Sequence, residues 1–303
     1  MRKPGSEPVY VQEGRPCRPH CKNTRTRRNG KRDRRHRDPA QRCKRTSCGR
    51  RFSDDVGSAG RHYPPHAILF ALLAFSMGMS GPQISLMIQQ DKGLSIGPST
   101  ILRWALHYCV PVDGYTRGLA INVGPGRSTD EKYPNMGGRG HWLLPVPDSG
   151  TRFLLLSWDI SPSKMSHGAC GLFGAASARA GGVVPAIPAG DKPAAFSKAF
   201  KKAFYRRRPP QPVHFAESHI KNEHSNNNNA RERFNGTIRD HPGGIRRFGR
   251  TESAHIASHA VHYNFVRPHM GLGGVTPANA AGITAEGAVI WRTLIQNAAP
   301  AAS

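Results

Sequence analysis

The chain has 303 residues and carries 44 Lys+Arg against 19 Asp+Glu, a formal net charge of +25. That length allows one sizeable core with one or two small modules, because single domains usually run to about 100–200 residues. The charge calls for a polyanionic partner, since Lys and Arg that neutralise phosphates drive nucleic-acid binding. The N-terminal Met1-Arg2-Lys3-Pro4 has no apolar signal core and the longest apolar run, Ala67 to Met79, is too short to cross a bilayer. Secretion and membrane insertion are therefore not expected, and a soluble cytoplasmic, nucleoid-associated protein is.

Charge placement sharpens the point. Residues 1–52 hold 18 Lys/Arg and 4 Asp/Glu, so 14 of the 25 net charges lie in the first sixth of the chain. Residues 1–60 show almost no apolar periodicity and cannot bury a core of their own without a cross-link. Six cysteines in a reducing compartment are unsuited to disulfides, and four of them, Cys17, Cys21, Cys43 and Cys48, form two close pairs. Four thiolates on one structural Zn2+ would make residues 1–60 a basic, zinc-ribbon-like segment. The spacings are C-x3-C and C-x4-C rather than the usual C-x2-C, with His20 and His36 as substitute ligands. Scattered thiols in a disordered basic arm are the alternative.

Residues 61–115 carry helical periodicity. Ala67-Ile68-Leu69-Phe70-Ala71-Leu72-Leu73 forms a buried helix that Gly78 and Gly81 end, and about Pro82 to Gln90 a second helix puts Ile84, Met87 and Ile88 on one face. After Asp91-Lys92-Gly93 a third helix starts near Pro98 and buries Ile101, Leu102, Ala105 and Leu106. Ser99, Thr100, Arg103 and His107 then face outward. Three short helices with a glycine-containing turn before the last fit a helix-turn-helix whose final helix enters a DNA groove; an ordinary helical hairpin fits the same periodicity.

Beyond residue 116 strands alternate with helices. Trp142 to Pro147 and Arg152 to Trp158 pair as a hairpin across Asp148-Ser149-Gly150. A helix over about Lys164 to Ala180, a strand from Val183 to Ile187, a helix carrying Phe196, Ala199, Phe200 and Phe204, and a strand around Pro212 to Phe215 follow. This order predicts a three-layer α/β fold with a mixed sheet flanked by helices over residues 116–283. Residues 284–303 hold one helix, around Val289 to Gln296, and an Ala/Pro tail.

Acidic residues are scarce, so their positions are informative. Phosphoryl transfer on a divalent metal needs carboxylates converging from different elements. Asp191 lies where the 183–187 strand gives out, at the end of a central strand, where α/β folds place ligand-binding groups. Glu232 falls on a helix that follows the Asn226–Asn229 cluster, and Arg239 is two turns further along the same face.

The run Asn228-Asn229-Ala230-Arg231-Glu232-Arg233-Phe234-Asn235-Gly236-Thr237-Ile238-Arg239 resembles the N-N-x-x-E-R-x-N-G-T-x-R segment of DDE insertion-sequence transposases and related integrases. Tyr263-Asn264-Phe265-Val266-Arg267-Pro268-His269, followed by Leu272 and Thr276-Pro277, is similar to that family's Y-N-x-x-R-P-H-x-x-L-x-x-x-T-P ending. Thr129-Asp130-Glu131 resembles the stretch that carries the first aspartate. Sixty residues separate Asp130 from Asp191 and 40 separate Asp191 from Glu232. The second interval is longer than usual in the family, and Arg206-Arg207-Arg208-Pro209-Pro210 accounts for the excess.

The resemblance, over roughly residues 15–283, implies an RNase H-like catalytic core in which Asp130, Asp191 and Glu232 hold two Mg2+ or Mn2+ ions, with Arg239 on a DNA phosphate. It implies a transposase that cleaves transposon ends by water attack and transfers the freed 3′ hydroxyl into target DNA, working as a homodimer or larger assembly. Gly126-Arg127-Ser128-Thr129, before Asp130, is a poor strand by composition. Asp148 and Asp159 are the alternative carboxylates, both at turn-like strand ends where solvated carboxylates are common. Aromatic packing and a Pro-terminated helix account for Tyr263, Asn264, Arg267 and His269. Two rival functions stay open: a DNA-binding regulator with a decayed core, and a hydrolytic nuclease of the same fold.

Overall fold

The computed structural model describes residues 9–11, 26–31, 39–43, 51–53, 63–124, 126–129, 135–136, 139–140, 142–143, 145–156, 160–161, 166–182, 187–190, 201–204, 215–216, 254–287 and 289–298. Near the N-terminus β1 (Val9–Val11) pairs in parallel with Ile283–Ala285, far along the chain, and Val11 is buried. Strands β2 (Thr26–Lys31), β3 (Pro39–Cys43) and β4 (Arg51–Ser53) form a separate antiparallel sheet with β3 in the middle. The basic segment therefore does contribute to a core, through a Val-Tyr-Val strand too short to show periodicity by itself.

Three helices come next: α1 (Pro65–Ser76), α2 (Gly81–Lys92) and α3 (Pro98–Gly118). Each has a proline in its first turn, where the missing N–H is no loss. The Ser80 N–H donates to the Gln83 side chain at 2.9 Å at the start of α2. Gly93, at φ 65°, ends it in the left-handed conformation that glycine adopts without strain. Ile84 and Ile88 are buried as expected, while Met87 is 40% exposed.

On α3 the buried stripe differs from the expected one. Ile101, Trp104, Ala105, Tyr108, Cys109 and Val112 are buried, whereas Leu102 and Leu106 are each 45% exposed. The sequence offers two apolar stripes on this helix, and the one bearing Trp104 and Tyr108 has more area to remove from water. Trp104 meets Tyr63 edge-on at 5.4 Å. The helix runs on to residue 118, and helices from the C-terminal part of the chain pack against it.

The α/β part opens with β5 (Gly126–Thr129), a strand despite its composition, and two short pairs follow. β6 (Asn135–Met136) pairs with β7 (Arg139–Gly140). The expected hairpin is present in two pieces: β8 (Trp142–Leu143) and β9 (Val146–Pro147) return as β10 (Leu154–Leu156) and β11 (Ile160–Ser161), β9 pairing with β10 and β8 with β11. Helix α4 (Ser166–Arg179) matches the expected Gly/Ala-rich stretch. The next strand, β12, spans Ile187–Gly190, starting at the last residue of the expected strand; residues 183–186 lie outside the described residues. Residues 201–204 are helical, with Phe204 buried against Phe173 of α4 at 6.3 Å, and β13 (Phe215–Ala216) follows. Strands β13, β12 and β5 form a parallel sheet with β12 at its centre.

The C-terminal part comprises α5 (Ala254–Val261), a π-helical turn His262–Val266, the short helix α6 (Pro277–Ala280), β14 (Ile283–Ala285) and α7 (Ile290–Ala298). The Thr276 hydroxyl caps α6 by accepting from the Asn279 N–H at 3.2 Å. One apolar cluster runs through Val11, α1 to α3, the hairpin, α4 and the C-terminal helices, down to Trp291 and Leu294. All four segments read from sequence thus contribute to it. The result is a helix-rich α/β protein with a small parallel sheet and a hairpin. Among the described residues no helix is long and apolar enough to cross a membrane.

Arg179, at the end of α4, secures the end of α3. Its guanidinium donates to the Leu119 carbonyl at 2.6 Å and the Thr116 carbonyl at 3.1 Å, and lies 5.6 Å from the Phe153 ring centroid. A cation satisfying the open carbonyls at a helix C-terminus also opposes the negative end of the helix dipole. Burial, with Arg117 nearby, lowers its pKa to about 10, which leaves it charged at neutral pH. Arg179→Ala is expected to lower stability by about 2 kcal/mol, the scale of a charge-assisted hydrogen-bond pair, as measured by urea unfolding, with Arg179→Lys recovering only part because an ammonium lacks the fork geometry.

Candidate functional site

The strand ends of the parallel sheet supply the first element. β5 and β12 pair with Gly126 opposite Ile187 and Thr129 opposite Gly190, so Thr129 and Gly190 stand level with each other. The next residues in the chain are Asp130 and Asp191. Asp130, Asp191, Glu232 and Arg239 themselves lie outside the described residues, as does Asp159. Gly126-Arg127-Ser128-Thr129 becomes a strand because β12 supplies a partner ladder and the hairpin turn packs against its first residue. The Ser149 N–H donates to the Gly126 carbonyl at 3.1 Å, and a Cβ at Gly126 would come within 3.0 Å of the Ser149 Cβ. Glycine, poor for a free strand, is what this contact requires.

Asp148 corrects an expectation. It is not a solvated turn carboxylate: it is 1% exposed and accepts from the Gly150 N–H at 3.2 Å, the Thr151 N–H at 2.8 Å and the Thr151 hydroxyl at 2.9 Å. Three donors commit this side chain to the hairpin turn. The turn adjoins Gly126, at the start of β5, whereas Asp130 follows its end. Asp148 is thus no substitute for Asp130.

The second element is the outer side of α3. Ser99, Arg103 and His107 are exposed and Thr100 is half-buried, as expected. Arg103 donates to the Thr100 hydroxyl at 3.1 Å, and the His107 ring stands edge-on to Tyr108 at 4.7 Å. The turn before the helix is held by the Ser85 hydroxyl, which donates to the Ile96 carbonyl at 2.6 Å.

The third element is the Tyr263–His269 motif. Its aromatic packing is as expected: Tyr263 is buried and meets His269 edge-on at 4.7 Å, and the helical turn stops before Pro268. Asn264 does more. Buried within the protein, its amide accepts from the Leu154 N–H at 2.8 Å and donates to the Leu154 carbonyl at 3.0 Å, acting as a strand partner for the edge of β10. Burial pushes the Tyr263 phenol up to about 12, against the pull of Arg152 and Arg267. Burial, then Arg267 and Arg152, lower His269 to about 4, so its ring is neutral at pH 7. Arg152 gave no signal in the sequence, because its approach to this motif is made across 115 positions by folding.

Among the described residues no three His, Cys, Asp or Glu side chains converge as a metal site. Cys17, Cys21 and Cys48 lie outside the described residues, and Cys43 is the last residue of β3. Cys109 and Cys170 are free thiols, and burial pushes Cys109 well above the ordinary thiol range.

Residues 214–277 match the family model described as Integrase core domain. Among solved structures, the chain matches a chain in the structure of the simian T-cell lymphotropic virus intasome in complex with the PP2A regulatory subunit B56 gamma. That likeness has 16% identity and a TM-score of 0.37, covering 70% of this chain and 73% of that one. No curated protein matches. The matched segment holds Glu232, Arg239 and the Tyr263–Pro277 motif, the stretches on which the sequence resemblance rests. Over residues 214–277, the chain is similar to the integrase core.

Proposed function

We propose that the protein is a DNA transposase with an RNase H-like core, which cleaves the ends of its element and joins the freed 3′ hydroxyl to target DNA. The observation that carries this reading is the register of two adjacent parallel strands, which sets Thr129 level with Gly190, the residues directly before Asp130 and Asp191 in the chain. Adjacent strands lie about 4.8 Å apart, a separation at which two carboxylates can share a divalent ion. Glu232 completes the set from within the integrase-core segment. Three hard oxygen donors suit Mg2+ or Mn2+, and Asp130, Asp191 and Glu232 would hold two such ions. When bound, these ions supply Lewis-acid activation of the attacking oxygen and charge stabilisation of the leaving one.

The chain's own cations do the rest. Arg239 holds a phosphate oxygen beside the carboxylates. In α3, Ser99, Thr100, Arg103 and His107 contact a DNA groove, as the last helix of a helix-turn-helix would. Cys17, Cys21, Cys43 and Cys48 hold one structural Zn2+ in the basic N-terminal segment. In the first step a water oxygen bonds to phosphorus and the 3′ oxygen leaves as a hydroxyl. In the second, that hydroxyl bonds to a target phosphorus and displaces the target's 3′ oxygen. Each joining step exchanges one phosphodiester for another, so no nucleotide cofactor is required. Two ends must meet, which calls for a homodimer or larger assembly.

The test is incubation of the full chain with duplex bearing the element's terminal repeats and a target plasmid, in Mg2+ or Mn2+ and in EDTA. Nicked ends and joined products that need the metal are expected. Nicks without joined products would assign a hydrolytic nuclease, and tight repeat binding without any product would assign a DNA-binding regulator.

A further inference from the structure

Arg152 and Arg267 both approach Tyr263 and His269, and among the described residues neither is paired with a carboxylate. Both act electrostatically on Tyr263 and on His269, so the four side chains form one cluster. Among the described residues the ion pairs are Lys92–Asp91 and Arg117–Asp113, and neither arginine of the cluster takes part in them. The backbone is adapted to hold the cluster. Arg152 is the one non-glycine residue with positive φ among the described residues, at 58°, a conformation that side-chain-bearing residues seldom adopt. Its guanidinium lies directly over Gly271, where a Cβ would collide with it. The turn beneath is tight: the Leu272 and Gly274 N–H groups both donate to the His269 carbonyl, at 2.9 and 3.0 Å. The Nε2 of His269 is buried without a partner among the described residues.

Two guanidinium groups that join no ion pair among the described residues suit an anion that both can contact. In a chain of net charge +25 the anion with the greatest electrostatic draw is a polyphosphate backbone. Guanidinium groups match its oxygens in pairs. We propose that Arg152 and Arg267 form a phosphodiester clamp for duplex DNA, floored by Tyr263 and His269 and propped by Gly271. It lies on the side of the hairpin turn, which adjoins the start of β5, while Asp130 follows the end of that strand. This inference rests on the DNA-binding part of the proposed function.

The test measures binding of a short labelled duplex to the full chain in EDTA, so that catalysis plays no part, over about 50 to 200 mM salt. Arg152→Gln and Arg267→Gln are each expected to weaken binding about tenfold and to lower the slope of log K against log salt by about 0.9, the loss of one phosphate contact. Gly271→Ala, which displaces the Arg152 guanidinium without changing charge and sits at a backbone position outside the left-handed region, is expected to show the Arg152→Gln affinity. Lys92→Gln, whose ammonium is paired with Asp91 at 2.7 Å, measures the loss of a generic surface charge. The clamp is refuted if wild type binds duplex and the three cluster variants do no more than Lys92→Gln. It is also refuted if inorganic phosphate binds saturably and sensitively to the same variants while the duplex slope is unchanged, which would assign the site to a free oxyanion. If wild type binds no duplex at all, the DNA-binding reading fails and the clamp fails with it.

Discussion

Replacing Asp191 or Glu232 with alanine is expected to reduce end cleavage and joining by at least about three orders of magnitude while leaving duplex affinity in EDTA unchanged. On the proposed function each substitution removes one of three carboxylates, and a site left with two would neither fix two divalent ions nor set their spacing. On the same proposal binding is carried by cations elsewhere in a strongly basic chain, so loss of a negative charge would not weaken it. Asp130→Ala should give the same result, because it stands one residue beyond Thr129 as Asp191 stands one residue beyond Gly190, and Thr129 and Gly190 are register partners. Asp148→Ala supplies the contrast. Its carboxylate holds a hairpin turn through three hydrogen bonds, so that variant should lose stability yet keep catalytic turnover per folded molecule. Full cleavage by Glu232→Ala, read as end-nicked product on a denaturing gel, would show that the carboxylate assignment is wrong.

The second large effect belongs to Asn264. Its amide satisfies both the N–H and the carbonyl of Leu154, all of them buried. Asn264→Ala strands two backbone groups where water does not reach, at about 1–3 kcal/mol each, so a loss of about 3 kcal/mol is expected. Asn264→Asp keeps an acceptor for the N–H but loses the donor to the carbonyl and places a charge in a buried site, so it should not rescue. Chemical denaturation distinguishes these outcomes: a shift in midpoint at constant slope marks loss of stability. A change below about 1 kcal/mol would mean that solvent reaches the edge of β10 after all. The same pair of bonds ties the C-terminal helical turn to the hairpin beside β5, so weakened catalysis in Asn264→Ala would follow from misplacement rather than chemistry.

Much of the helical organisation was legible locally. Prolines at 82 and 98 marked helix starts within about one turn of where they occur, because a proline ring's fixed φ suits a first turn wherever it occurs. Asp148-Ser149-Gly150 marked the hairpin turn, since its chemistry is contained within four residues. The glutamate motif and the Tyr263–His269 motif pointed to the integrase core, and residues 214–277 match it.

What tertiary structure decided were the features whose partner is remote in sequence. Gly126–Thr129 has no propensity for a strand, yet becomes one because β12 pairs with it and Ser149 needs a residue without a Cβ beside it. On α3, periodicity allowed two apolar stripes, and only the presence of Tyr63, α5 and α7 selected the one with Trp104 and Tyr108. Val9–Val11 reads as a fragment of a basic arm until β14, over 270 residues away, gives it a parallel partner. Asn264 and Arg152 carried no distinguishing local signal, because an amide's worth depends on the unpaired backbone it meets and an arginine's on the charges gathered around it. The sequence by itself determined the chemistry on offer, a basic chain with scarce carboxylates in a specific motif. Folding decided which of those groups stand together, since strand register, burial and charge clustering are properties of pairs that the chain order keeps apart.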